Sequence, residues 1–247
     1  MLTKKESLEN KAVVVTGGTT GIGRAGAIKL AKKGARVLIF GRHNRELSDA
    51  LEAIKRSGGQ ATGLTADTAS YNDVKRVFAK ADRELGGLDI LINNAAVGAG
   101  SVVESDYKTW QYQVNVNLVG YISCAHEAFA RLQKSGGGHI VNIGSLSAEV
   151  KDPESDIYAA TKSGIRGFTA SFRKKVNQWG IRVTLIEPGL VGTDLPAIPP
   201  RQQREMEAAE EMLMANDVAE AILFALARPH RSEVITIQLR PHKQSNI

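Results

Sequence analysis

Short unbroken apolar runs alternate with longer stretches of helical periodicity along almost the whole chain. The runs read as strands at 12–15, 36–40, 61–65, 88–92, 139–143, 182–186 and 233–239. Helical spacing predicts helices over 22–33, 45–56, 71–85, 107–134, 158–179 and 217–227. A strand with one face in water alternates apolar and polar residues, whereas an unbroken run such as Val13-Val14-Val15 must be covered on both faces. Helices between successive strands supply that cover, so the expected fold class is α/β, a doubly wound parallel sheet of about seven strands flanked by helices. No repeat or proline-rich linker divides the 247 residues, which are expected to form a single domain. The segment 193–214, with Pro196, Pro199, Pro200 and an acidic patch over 205–211, breaks the alternation and is expected to be a lid over the site.

Composition narrows the function classes. A chain that is 43% hydrophobic is too apolar for disorder. No uncharged apolar run approaches the ~20 residues that a membrane span needs. The first eleven residues include Lys4, Lys5, Glu6 and Glu9, so no secretory leader is expected. Cys124 is the one cysteine, which excludes an internal disulfide and fits the reducing cytoplasm. The net charge of +6 is spread over pairs such as Lys32-Lys33, Lys55-Arg56, Lys75-Arg76 and Lys174-Lys175. That scatter lacks aromatic interleaving, so neither nucleic acid nor membrane is an expected partner. His126 and His139 stand without Cys, Asp or Glu at ligand spacing, and no metal is expected.

The first strand runs into Thr16-Gly17-Gly18-Thr19-Thr20-Gly21-Ile22-Gly23. A literal G-x-G-x-x-G also occurs at Gly21, Gly23 and Gly26, but it starts late after the strand for a dinucleotide fingerprint. The spacing that makes physical sense is Gly17 to turn off the strand, Gly21 for backbone approach to a pyrophosphate, and Gly23 for helix-on-sheet packing. The helix start then offers free N–H groups and a partial positive charge to phosphates. This is the loop of a single-domain Rossmann fold. Folds of this kind that use NAD carry an acid ~20 residues later for the ribose 2′-OH. Here the second strand ends Ile39-Phe40-Gly41-Arg42-His43, with no carboxylate. Arg42 offers a planar fork suited to a 2′-phosphate, which favours NADP over NAD.

Tyr158 and Lys162 stand at i and i+4, on one face of a helix. A phenol titrates near ~10, so acid–base work at neutral pH asks for ~4 kcal/mol of help. A lysine ammonium at ~4 Å supplies about that much at an effective dielectric near ~20. Further motifs accompany the pair: Asn93-Asn94-Ala95 after the fourth strand, Ser145 thirteen residues before Tyr158, and Pro188-Gly189 after the sixth strand. With these in order and spacing across nearly all of 11–237, the chain resembles the short-chain dehydrogenase/reductase family.

The resemblance implies an oxidoreductase in which Ser145 holds a substrate oxygen and Tyr158 exchanges its proton. Lys162 lowers the phenol pKa and binds the nicotinamide ribose, and Asn117 holds a water of the proton relay. Gly17, Thr19, Thr20, Gly21, Ile22 and Gly23 make the phosphate loop. Asp67 and Thr68 meet the adenine, Asn93 and Ala95 wall the adenosine ribose, and Pro188, Gly189, Val191 and Thr193 clamp the carboxamide. The family's Tyr-to-Lys spacing favours carbonyl/alcohol chemistry over C=C reduction, and Ser145 lies in no Gly-x-Ser-x-Gly hydrolase elbow. Two departures stand out: Ala96 replaces a usual glycine, and Gly144 stands where a serine is frequent. The segments 216–221 and 237–241 resemble the subgroup acting on 3-hydroxy acids, serine and small aldehydes. A 3-ketoacyl-carrier-protein reductase and a non-catalytic NADP-binding sensor are the alternatives, the former fitting the +6 charge. A homotetramer built on the two long helices is the assembly the family implies.

Overall fold

The computed structural model describes residues 6–98, 100–151 and 153–243; Lys4 and Lys5 lie outside them. β1 (Ala12–Thr16) reads AVVVT, and every one of its residues is buried. It leads into α1 (Gly21–Lys32), then β2 (Arg36–Gly41), α2 (Asn44–Arg56), β3 (Gln60–Thr65), α3 (Tyr71–Leu85) and β4 (Ile90–Asn93). The alternation continues through α4 (Tyr107–Val114), α5 (Gly120–Lys134), β5 (Gly138–Ile143), the short α6 (Ser147–Val150), α7 (Asp156–Val176) and β6 (Ile181–Pro188). It closes with β7 (Val191–Gly192), α8 (Pro200–Ala208), β8 (Leu213–Met214), α9 (Ala215–Leu226) and β9 (Thr236–Leu239).

Seven strands form one sheet in the order β3-β2-β1-β4-β5-β6-β9, all paired in parallel. The doubly wound Rossmann fold expected from the apolar runs is therefore the fold observed. Along β1, Val14 joins a cluster with Phe78 of α3 and Leu132 of α5. Its neighbours Val13 and Val15 join the opposite cluster with Leu30 of α1, Ile54 of α2 and Ile222 of α9. Successive strand residues point to opposite faces, so an unbroken valine run feeds two cores at once. The order reverses between β1 and β4, where chains leave the sheet in opposite directions and a crevice opens at the carboxyl ends. The glycine loop, Arg42 and Asn94 all follow strand ends on that rim.

Some elements differ from the periodicity reading. The stretch 107–134 is interrupted by a π-helical turn at Asn115–Val119. Both ends of the Asn117 amide pair with the Val97 backbone, Val97 N–H donating to Oδ1 (2.8 Å) and Nδ2 donating to the Val97 carbonyl (2.9 Å). That bond across the fold holds the wide turn, and π-turns of this type concentrate at functional sites. The helix expected from 158 begins at Asp156 and ends in a 3₁₀ turn, Asn177–Trp179. β9 starts at Thr236 instead of 233, because the Glu233 carboxylate, not a peptide carbonyl, accepts the Val183 N–H (2.9 Å). The 193–214 excursion places α8, with Pro200 at its first turn, between β7 and β8, which pair with each other.

Candidate active site

The crevice floor is the loop after β1. Gly17 takes a left-handed φ of 59°, and a Cβ there would stand 2.9 Å from Ala95 Cα. A side chain at Gly23 would collide with the Gly17 carbonyl. Gly26 would meet only Ile222, at an ordinary 3.5 Å, so the spacing over Gly17, Gly21 and Gly23 is the one geometry demands. Asn94 ties this loop to the end of β4, its Nδ2 donating to the carbonyls of Thr16 (3.1 Å) and Gly17 (3.0 Å). Thr16 Oγ1 accepts the N–H of Asn94 (2.8 Å) and of Ala95 (2.9 Å). Asn93 is fully buried and turned the other way, its Nδ2 donating to Tyr121 O (3.2 Å) and Asn142 Oδ1 (3.1 Å). Strand alternation sends neighbouring side chains apart, so Asn94 takes the loop-facing position and the Asn93 side chain braces the sheet.

At the start of α1, Thr20 is the cap residue but its side chain makes no capping bond, and the first turn holds no acid. The free N–H groups and helix dipole there are left for an anion. Thr19 is buried against Gly41, where a Cβ would press on its hydroxyl, and Ile22 packs on the second core. Thr193 reaches the same helix start, its Cγ2 lying 3.0 Å from where a Gly21 Cβ would be. Its Oγ1 accepts Leu195 N–H (3.2 Å), and its carbonyl accepts Gln203 Nε2 of α8 (2.9 Å). A cavity of about 440 Å³ lies here, lined by Gly21, Thr193, Asp194, Ile198 and Gln203 among others. Val191 is buried in β7, while Pro188 O accepts Leu146 N–H (3.0 Å) and Gly189 N–H donates to Leu239 O (2.8 Å).

At the far end of the crevice, Arg42 Nη1 donates to the hydroxyl of Tyr112 (2.8 Å), which donates to Asp67 Oδ2 (2.7 Å). Asp67 Oδ1 accepts the Ala69 N–H (2.9 Å), and Thr68 is buried beneath, against Gly120. Tyr112 escapes the motifs altogether, since its partners are far away in sequence.

The opposite end carries Ser145, Tyr158 and Lys162, which the fold brings together. Lys162 is 2% exposed, its ammonium 5.5 Å from the centre of the Tyr158 ring and 5.4 Å from that of Tyr121. Its Nζ donates to Ile143 O (2.9 Å), the carbonyl that also accepts the Tyr121 hydroxyl (3.0 Å). Burial pulls the lysine down to about 7. Burial also pushes the Tyr158 phenol up to about 12, against the lowering effect of its hydrogen bond with Ser145, although part of the residue's surface stays open. Within the chain itself the ammonium sits over the ring, and Ser145 is the group that favours the phenolate. Ser145 is held in turn, its Oγ lying 3.0 Å from Ser147 Oγ and accepting the Ser147 N–H (3.1 Å).

The chain is similar over nearly its whole length to known proteins. The family model described as short chain dehydrogenase matches residues 11–203. The chain belongs to the short-chain dehydrogenase/reductase family. An uncharacterized oxidoreductase of Staphylococcus aureus (strain USA300) is 32% identical over 237 residues, covering 95% of this chain and 98% of that one. A Sinorhizobium meliloti 1021 crystal structure, provisionally called a short-chain alcohol dehydrogenase, superposes with a TM-score of 0.86 at 27% identity, over 98% of this chain and all of that one. A metagenomic short-chain oxidoreductase solved with NADP superposes with a TM-score of 0.81 at 26% identity, covering 96% and 99% of the two chains. The protein is thus an oxidoreductase of this family with a nucleotide-binding fold.

Both departures from the short-chain dehydrogenase/reductase pattern have a structural basis. Among the described residues, the only non-glycines with positive φ are Asn10, Lys151 and Glu210, so Ala96 needs no left-handed backbone. At Gly144 a Cβ would stand 3.0 Å from both Glu187 Cγ and Leu185 Cδ1. Glu187 is 1% exposed and paired with Arg166 (2.7 Å), and it occupies the space that a serine side chain would take. Among the described residues no cluster of metal-ligating side chains exists, and no helix is long and apolar enough to cross a membrane.

Proposed function

We propose that this chain is an NADP-dependent alcohol dehydrogenase or carbonyl reductase acting on a small hydroxy acid, aldehyde or ketone. The observation that carries the reading is the buried Lys162 beside Tyr158, with Ser145 hydrogen-bonded to the phenol. Lysine is almost never fully buried unless paired, because desolvating it is costly, and here its partners are the Ile143 carbonyl and the face of the Tyr158 ring.

The residues fit a phosphorylated dinucleotide. The uncapped start of α1, with Gly17, Thr19, Thr20, Gly21, Ile22 and Gly23, would hold the diphosphate. Arg42 would take the 2′-phosphate, since no carboxylate ends β2 to favour NAD. Asp67 and Thr68 would meet the adenine, and Ala95, backed by buried Asn93, the ribose. Pro188, Gly189, Val191 and Thr193 would enclose the nicotinamide end. When bound, the nicotinamide supplies or accepts the hydride.

Around it, Ser145 fixes the substrate oxygen and Tyr158 passes a proton to it in reduction. A phenol held near 12 keeps that proton at neutral pH, so it starts as the acid. Lys162 places a positive charge behind the phenol and a donor toward the ribose. The Asn117 side chain is spent on Val97, so its main chain is what it offers a relay water. The substrate lies under 193–214, and the resemblance of 216–221 and 237–241 supports a small hydroxy acid. The same reading puts the protein in the cytoplasm as a homotetramer.

The test is turnover with NADP and with NAD on a panel of 3-hydroxy acids, aldehydes and ketones, for wild type and Tyr158→Phe. The expected result is NADP-linked turnover that falls about 100- to 10,000-fold in the variant with little change in NADP affinity. Unchanged turnover in Tyr158→Phe would reject the assignment.

A further inference from the structure

Tyr112 lies outside every motif yet touches two residues of the cofactor end. Its hydroxyl donates to Asp67 Oδ2 (2.7 Å) and accepts from Arg42 Nη1 (2.8 Å). The Arg42 guanidinium carbon also stands 5.5 Å from the centre of the Tyr112 ring. The three residues come from the end of β2, the turn after β3 and α4, so the phenol spans one end of the crevice.

A lone arginine at this place would be ill-defined. Arg42 is exposed, on a loop, and a long cation in water visits many rotamers before it meets a phosphate. The ring face and one hydrogen bond fix its fork, and a guanidinium has five N–H groups, so others remain for an anion. The far side of the phenol is equally fixed. Asp67 Oδ1 accepts Ala69 N–H (2.9 Å), and Asp67 N–H donates to Asp73 Oδ2 (2.9 Å). A carboxylate that accepts the phenol proton polarises the phenol oxygen and strengthens its bond to Arg42. Burial, then the bond to Asp67, raises the Tyr112 pKa, so the phenol stays a donor.

We propose that Tyr112 selects the phosphorylated cofactor by holding Arg42 in the orientation that receives the 2′-phosphate. It is a positioning residue acting through Arg42, and the inference rests on the NADP reading above. Tyr112→Phe removes the hydroxyl and keeps the ring, so the fold is spared.

Kinetics with NADP and NAD for wild type, Tyr112→Phe, Arg42→Ala and the double variant test it. Tyr112→Phe is expected to raise the KM for NADP about three- to tenfold, the scale of one hydrogen bond, leaving kcat and the KM for NAD within about twofold. In the Arg42→Ala background the same change is expected to add nothing, because the two act as one unit. If Arg42→Ala abolishes the NADP preference while Tyr112→Phe retains it, the role given to Tyr112 is wrong. Tighter NADP binding in Tyr112→Phe would make the phenol an obstacle and overturn the proposal. If Arg42→Ala leaves the NADP preference intact, the NADP reading itself fails and this inference with it.

Discussion

Lys162 shows what burying a single charged residue costs in stability. Its ammonium is buried, and desolvation brings its pKa from 10.5 to about 7. The unfolded chain holds this proton up to about 10.5 and the folded chain only to about 7. Between those values the unfolded state binds more protons, so stability rises with pH across that window, and below it the cost of the buried charge is fully present. The Ile143 carbonyl keeps the Tyr121 hydroxyl when the lysine is gone (3.0 Å), so removal strands no acceptor. Lys162→Met, of similar length, is expected to gain about 1–2 kcal/mol at pH 7 and several degrees in Tm. Turnover is expected to fall at least about 100-fold. Urea midpoints of both proteins near neutrality and near pH 9 provide the check; a variant less stable than wild type at pH 7 contradicts the assignment.

The glycine loop and α1 act together as one element. Packing the helix start against the Gly17 carbonyl is possible only where residue 23 lacks a Cβ, whereas residue 26 has room beside Ile222 (3.5 Å). Two substitutions of the same kind therefore diverge. Gly26→Ala is expected to stabilise α1 by up to about 1 kcal/mol with cofactor affinity unchanged. Gly23→Ala is expected to displace the loop and weaken cofactor binding by about tenfold or more. Thermal melts with and without cofactor separate them, and equal effects at both positions would discredit the loop geometry. The π-turn at Asn115–Val119 is likewise an element-scale device, set by Asn117 on Val97 and not by helix propensity.

At the scale of the molecule, the sheet order puts the loops of the candidate site on one rim, while one flank exposes apolar side chains. Val119 and Ile122, at the start of α5, are 44% and 41% exposed. Burying such faces between copies is favourable at about 25 cal/mol per Å². The expected solution mass is four times 26.6 kDa, measured by light scattering. A single-chain mass at micromolar concentration would refute the tetramer.

How much of this was legible beforehand follows from the range of the forces involved. Strands, helices and the parallel sheet were readable because burial on two faces writes an unbroken apolar run into neighbouring residues, as in Val13-Val14-Val15. The glycine spacing and the Tyr158–Lys162 pair were readable for the same reason, being set within one loop and one helical turn. The inward turn of Asn93, the Val97 hold on Asn117 and the room that Glu187 takes beside Gly144 have no local pattern. Tyr112 is the clearest case, with partners 45 and 70 residues away in the chain. The sequence alone determined the fold and the family, because periodicity and short spacings are properties of the local chain. Only the tertiary structure decided which side chains face the crevice and which brace it, because hydrogen bonds between distant segments form once the sheet has brought them together.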